Sequence, residues 1–156
     1  MKKILLLLLL LVNTLAFAEV QLTDKAEIRI VTCGPYQGEL YSAFGHSAVR
    51  VFDPELGIDL IYNYGVFNFN QPNFYLNFAK GHLLYRLAVS RYQPFVESYI
   101  EENRYVHEQI LNLTPAQNQK VFDFLQWNAK EDNMHYYYDY FYDNCATRVR
   151  DVMKNA

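Results

Sequence analysis

Polar and apolar residues alternate through residues 27–32 (EIRIVT), the two-residue period of a strand with one buried face. The same period returns in His46–Phe52 and in Asp59–Tyr64. Between them Asp53-Pro54-Glu55-Leu56-Gly57 has turn chemistry, so this pair reads as a β-hairpin with a five-residue connection. Residues 33–44 contain Gly34, Pro35 and Gly38, which break the alternation into a loop. Residues 83–90 and 104–113 are strand-like again.

Helical signals concentrate in the second half. Residues 72–80 suit a short helix stopped by Gly81, and residues 95–103 a helix entered by Pro94. The clearest start is Thr114-Pro115-Ala116-Gln117. There Thr114 can cap, Pro115 suits the first helical position and Gln117 completes a capping box for a helix running to about Ala129. Asp143 or Asn144 can cap a last helix with Cys145 in its first turn. Neither a repeat nor a low-complexity linker interrupts this order. It predicts one α+β domain with a mostly antiparallel sheet.

The first residues stand outside that pattern. Lys2 and Lys3 precede an apolar run, Ile4 to Val12, and then Ala16-Phe17-Ala18. This is the layout of a secretory signal peptide cleaved after Ala18, and the run is short for a membrane span. Residues 19–156 would then form the mature domain. Loss of the two lysines moves the formal charge from -3 to -5, which argues against a nucleic-acid partner. Aromatic residues are abundant, with 14 Tyr and 11 Phe. They are densest in Met134–Tyr142. Such rings fill cores and pair across strands, or form surfaces that take sugars or sit at lipid headgroups.

The candidate chemistry centres on Cys145. A thiol at a helix N-terminus gains from unpaired N–H groups and the helix dipole, and a nearby histidine activates it further. His46 begins the second strand, after Gly45. His82 and His107 fall inside strand-like stretches and read as structural, and His135 lies in the aromatic block. A third group must orient the imidazole; Asn63 and Tyr64 on the neighbouring strand are both candidates. The competing reading is a Cys33–Cys145 disulfide, the usual state of a cysteine pair in a secreted chain. No pair of Cys or His has metal-ligand spacing and no glycine loop could cradle phosphate, so neither a metal nor a cofactor is expected.

Four ordered motifs add a resemblance. They are Phe44-Gly45-His46-Ser47-Ala48-Val49-Arg50-Val51, Asn63-Tyr64-Gly65-Val66-Phe67, Pro72-Asn73-Phe74-Tyr75-Leu76 and Asp143-Asn144-Cys145-Ala146-Thr147-Arg148-Val149-Arg150-Asp151. Together they resemble the N-terminal periplasmic or extracellular domain of the Lnb-type lipoprotein N-acyltransferases. The resemblance implies a circularly permuted papain-like (NlpC-type) fold, with the histidine strand preceding the cysteine helix. It implies Cys145 as nucleophile and His46 as base, with the loop from Cys33 to Phe44 bordering the site. Tyr36 and Tyr41 on that loop, with Ser47, Asn144 and Arg148, are the substrate-binding candidates. The implied activity is thiol-dependent acyl transfer or hydrolysis on acyl esters of bacterial lipoproteins or phospholipids, beside a membrane surface in the periplasm or cell envelope. Family members generally continue beyond the cysteine helix. The alternatives are a cell-wall peptidase or amidase of NlpC type, and a non-catalytic lipid- or glycan-binding domain stapled by the disulfide.

Overall fold

Where the alternating segments end decides how the sheet is built. The computed structural model describes residues 19–38 and 42–154. The predicted signal peptide, residues 1–18, lies outside the described residues. β1 (Glu27–Cys33), β2 (His46–Asp53), β3 (Ile58–Phe67) and β4 (Leu84–Arg91) pair in sequence order as an antiparallel meander. β5 (Val106–Ile110) comes back to pair with β1, and β6 (His135–Tyr137) pairs with β4. The sheet order is therefore β5-β1-β2-β3-β4-β6. Five helices accompany it among the described residues: α1 (Phe74–Ala79), α2 (Tyr92–Glu101), α3 (Pro115–Asn128), α4 (Glu131–Met134) and α5 (Cys145–Lys154). The α+β class and antiparallel sheet agree with the pattern of the sequence, and the histidine strand does precede the cysteine helix.

Alternation sorts side chains onto two faces. Ile28, Val49, Val51, Tyr62 and Tyr64 share one core with Val121, Phe122 and Leu125 of α3 and Val149 and Val152 of α5. Val31, Cys33, Ala48 and Ile61 share the other with Tyr92 and Phe95 of α2. Each fully buried aliphatic side chain contributes about 1.5–3 kcal/mol. β2 has helices over both faces, and its residues 48–51 are all buried. One of them is Arg50. Its guanidinium donates to Asp59 at 2.7 and 2.9 Å and to Glu108 at 2.8 Å, and stacks 3.6 Å over the Tyr92 ring. Full pairing is what makes a buried cation tolerable.

Local chemistry sets the element ends. Thr114 and Gln117 form the expected capping box, the Thr114 N–H donating to Gln117 Oε1 at 2.9 Å. The fully buried Asp53 side chain accepts from the N–H groups of Glu55 and Leu56 and closes the hairpin turn. It also accepts from the Thr23 N–H at 2.7 Å, strapping the N-terminal segment to the sheet. Asp53 itself belongs to β2, so the hairpin connection is shorter than the sequence suggests.

Three elements depart from expectation. β3 runs on to Phe67 through a bulge, its register slipping between Asn63 and Val66. α2 starts at Tyr92, directly from β4, and carries Pro94 in its first turn, where no backbone donor is needed. The aromatic block contributes β6, since Tyr136 is buried while His135 and Tyr137 are exposed.

Candidate active site

Two tight constructions place Cys145. Asp139 and Asp143 exchange backbone hydrogen bonds at 3.0 and 3.1 Å, and Asp139 Oδ1 accepts from Phe141 and Tyr142. This turn delivers the chain to Asn144. Asn144 Oδ1 then accepts from the N–H groups of Ala146 and Thr147, both at 3.0 Å, and the Asn144 N–H donates to Thr147 Oγ1 at 2.8 Å. Asn144 is thus the cap, and Cys145 the first residue of α5. The cap occupies two first-turn N–H groups. Cys145, as the first helical residue, is not among the N–H groups that Asn144 caps.

His46 is placed by a glycine. Gly45 has φ +80, and a Cβ there would lie 2.6 Å from the Cys33 carbonyl oxygen. Only glycine lets the chain enter β2 so close to the end of β1, where Cys33 and His46 stand opposite each other. Asn63, on the neighbouring strand β3, accepts from His46 Nε2–H at 2.5 Å. That bond fixes the tautomer and leaves Nδ1 as the basic nitrogen. Burial holds the His46 pKa below its ordinary 6.5, with a smaller push the same way from Arg104, against the opposing effect of the Asn63 bond. The ring is therefore neutral at neutral pH and free to accept a proton.

The β3 bulge joins the two halves. Gly65 has φ +89, and a Cβ on it would stand 3.8 Å from Cys145 Cβ and 3.9 Å from His46 Cε1. Cysteine and imidazole thus flank one point, and glycine keeps that point empty. The point belongs to a cleft of about 820 Å³. Phe44, Phe67, Phe69, Phe78, Tyr138 and Tyr140 supply much of its wall. Arg104 is the one charged side chain lining it among the described residues. Its Nε donates to Gly34 O at 2.8 Å and its Nη1 pairs with Glu102.

The structure separates the candidates that the sequence left together. Cys145, His46, Asn63, Ser47 and Asn144 all line the cleft. Tyr64 does not: it faces the α3 core, where its hydroxyl donates to Asn128 Oδ1 at 2.6 Å. Arg148 does not either. Its guanidinium is held by both carboxylate oxygens of Asp143, one contact at 2.5 Å, and lies 4.1 Å over the Tyr136 ring. It braces the turn before the cysteine. Tyr36 is half-buried beyond the cleft wall, its N–H donating to Ser42 O, and Tyr41 lies outside the described residues. Cys33 and Cys145 are both free thiols. Cys33 is buried, and that burial pushes its pKa up to about 11. Cys33 stands opposite His46 and lines the same cleft. Gly65, Arg104 and the rings of Phe67, Phe69 and Phe78 were not singled out by sequence reasoning. For Gly65 the signal was present, because a glycine inside an alternating strand marks a bulge or a close approach.

The sequence profile described as the Lnb N-terminal periplasmic domain matches residues 18–156. The chain belongs to this family. The Lnb domain is periplasmic, which places the chain in the periplasm or cell envelope. No curated protein and no solved structure matches the chain. No helix among the described residues of this Lnb domain is long and apolar enough to cross a membrane.

Proposed function

We propose that the domain is a thiol acyltransferase or hydrolase acting on long-chain acyl esters, lipoprotein or phospholipid, in a papain-like arrangement of Cys145, His46 and Asn63. The observation that carries this reading is the point beside Gly65, flanked by the thiol on a helix start and by an imidazole whose far nitrogen is held by an amide. In the first step His46 Nδ1 takes the Cys145 proton as the sulfur attacks the ester carbonyl. The Cys145 N–H faces the developing oxyanion. The C–O bond then breaks, and the alcohol leaves with the proton from His46. An amine or water attacks the thioester in the second step, and the thiol is restored.

The cleft favours an acyl substrate over a peptide stem. A stem peptide offers charged ends that call for charged partners, and the one charged wall residue among the described residues, Arg104, is already paired. Aromatic walls suit an alkyl chain.

The test is to incubate the protein with a soluble chromogenic acyl ester, quench, and read the intact mass. An acyl adduct on Cys145 is expected. It should be absent from Cys145→Ala, and His46→Ala should form it at least about a hundredfold more slowly. Turnover undiminished in Cys145→Ala would sink the proposal. Ester binding without any adduct or turnover would favour a non-catalytic binding domain.

A further inference from the structure

Two sets of packed rings flank the mouth of the cleft. On one side Phe44 meets Tyr140 at 5.6 Å, and Tyr140 meets Phe141 at 5.2 Å. On the other Phe69 meets Phe74 at 5.0 Å, and Phe74 meets Tyr75 at 5.3 Å and Phe78 at 6.3 Å. Phe44 and Tyr140 on one side, and Phe69 and Phe78 on the other, also line the cleft, so both sets border one opening. Their outer members lie in water: Tyr75 is 84% exposed, Phe141 76% and Tyr142 83%. α1, which carries Tyr75, Leu76 and Phe78, buries none of its residues. Packing within the domain does not account for this helix's composition. Exposed apolar surface gathered in one place marks a contact with something else.

Charge indicates what that something is. The chain carries net charge -3, yet no acidic residue lies between Asp59 and Glu97, a stretch that contains Lys80 and Arg86. Lys80 directly follows α1 and is exposed. Across the cleft, two acids are engaged in local contacts, although Asp139 is exposed and Asp143 half-buried. Asp139 accepts from the Phe141 and Tyr142 N–H groups, and Asp143 holds Arg148. Exposed rings beside Lys80, on a segment without an acidic residue, fit an anionic lipid headgroup layer.

We infer that the two ring clusters are the lips by which this domain docks on an anionic phospholipid bilayer. The cleft mouth lies between the lips, so a docked domain receives an acyl chain from the bilayer without passing it through water. The benefit of this placement rests on the acyl-ester reading above; the docking itself does not.

The experiment is flotation of the protein, as purified from the periplasm, with vesicles of phosphatidylglycerol and phosphatidylethanolamine. The variant Tyr75→Ser/Leu76→Ser/Phe141→Ser/Tyr142→Ser changes only lip residues outside the cleft wall. The wild type should float with the vesicles, and the variant should partition at least tenfold less while hydrolysing a soluble ester at the wild-type rate. Vesicles of phosphatidylcholine alone should bind less than the anionic ones. Wild type that stays with the soluble fraction, or a variant that floats equally well, overturns the inference. So does a dimer in solution that the four substitutions dissolve, since a second copy then covers the lips. Cys145→Ala should float like wild type. Flotation with an inert Cys145 would remove the enzymatic reading and leave the docking; a reactive Cys145 without flotation would do the reverse.

Discussion

Replacing Gly65 by alanine tests the site geometry most directly. The methyl group would meet no hard clash, since its two nearest atoms are 3.8 and 3.9 Å away. It would fill the one point that cysteine and imidazole flank, where an attacked carbonyl must sit about 3–3.5 Å from the sulfur. The backbone adds a separate effect. At φ +89 a residue with a Cβ is strained by roughly 1–2 kcal/mol. For a domain of this size that lowers Tm by about 3–10 °C. Gly57→Ala separates the two effects. Gly57 sits in the hairpin turn at φ +65 with nothing within 4 Å of its Cβ position, so alanine there adds strain without filling any site. Both variants should therefore lose similar stability in thermal unfolding. Only Gly65→Ala should lose turnover of a soluble ester, by about a hundredfold or more, the scale of an ångström-sized displacement of reacting atoms. A Gly65→Ala protein that turns over like Gly57→Ala would mean that substrate does not pass between Cys145 and His46.

Other outcomes follow from the same contacts. Asn63→Ala frees the His46 ring and should reduce turnover by at least about tenfold with little change in Tm, read from steady-state kinetics beside thermal unfolding. His46 has a lowered pKa, so the folded state resists protonation that the unfolded chain accepts near 6.5. Stability should thus fall as pH drops below about 6.5 and should stop falling on this account at the lower, folded pKa. Urea titrations of wild type and His46→Gln at pH 7.5 and 5.5 should show the smaller loss in the variant. Asn144→Ala removes the acceptor for two N–H groups and should cost about 1 kcal/mol of unfolding free energy, with slower alkylation of Cys145. Glu108→Ala leaves the buried Arg50 with Asp59 alone and should cost about 1–3 kcal/mol in denaturant unfolding.

Most of the scaffold is legible because it rests on local rules. The alternation of β1 and β2, the Thr114 box and the Asn144 cap are each written within a few residues, and each is found. The positions of Cys145 and His46 were legible for the same reason, one at a helix start and one at a strand end. What the sequence left open depends on which face a side chain takes. Asn63 and Tyr64 are equal candidates on paper, yet one step along a strand sends them to opposite faces, and only Asn63 reaches His46. Arg148 was legible as a cation near the cysteine, but its direction was set by Asp143 and Tyr136. β6 was hidden because a run of rings lacks polar punctuation. The apolar walls come from Phe67, Phe69 and Phe78, whose convergence depends on the β3 bulge and on where α1 lands.

The separation of His46 and Cys145 along the chain also has a bearing on biogenesis. The imidazole belongs to the second strand and the thiol to a helix that packs against β2 and β3 only after β4, β5 and α3 have been made. A chain made from its N-terminus presents His46 and its partner Asn63 early and Cys145 late, and the thiol meets the imidazole only when that helix docks. Until then the point beside Gly65 has only one of its two flanks. Completion of the fold and assembly of the cleft are then a single event, and thiol labelling against time would follow it.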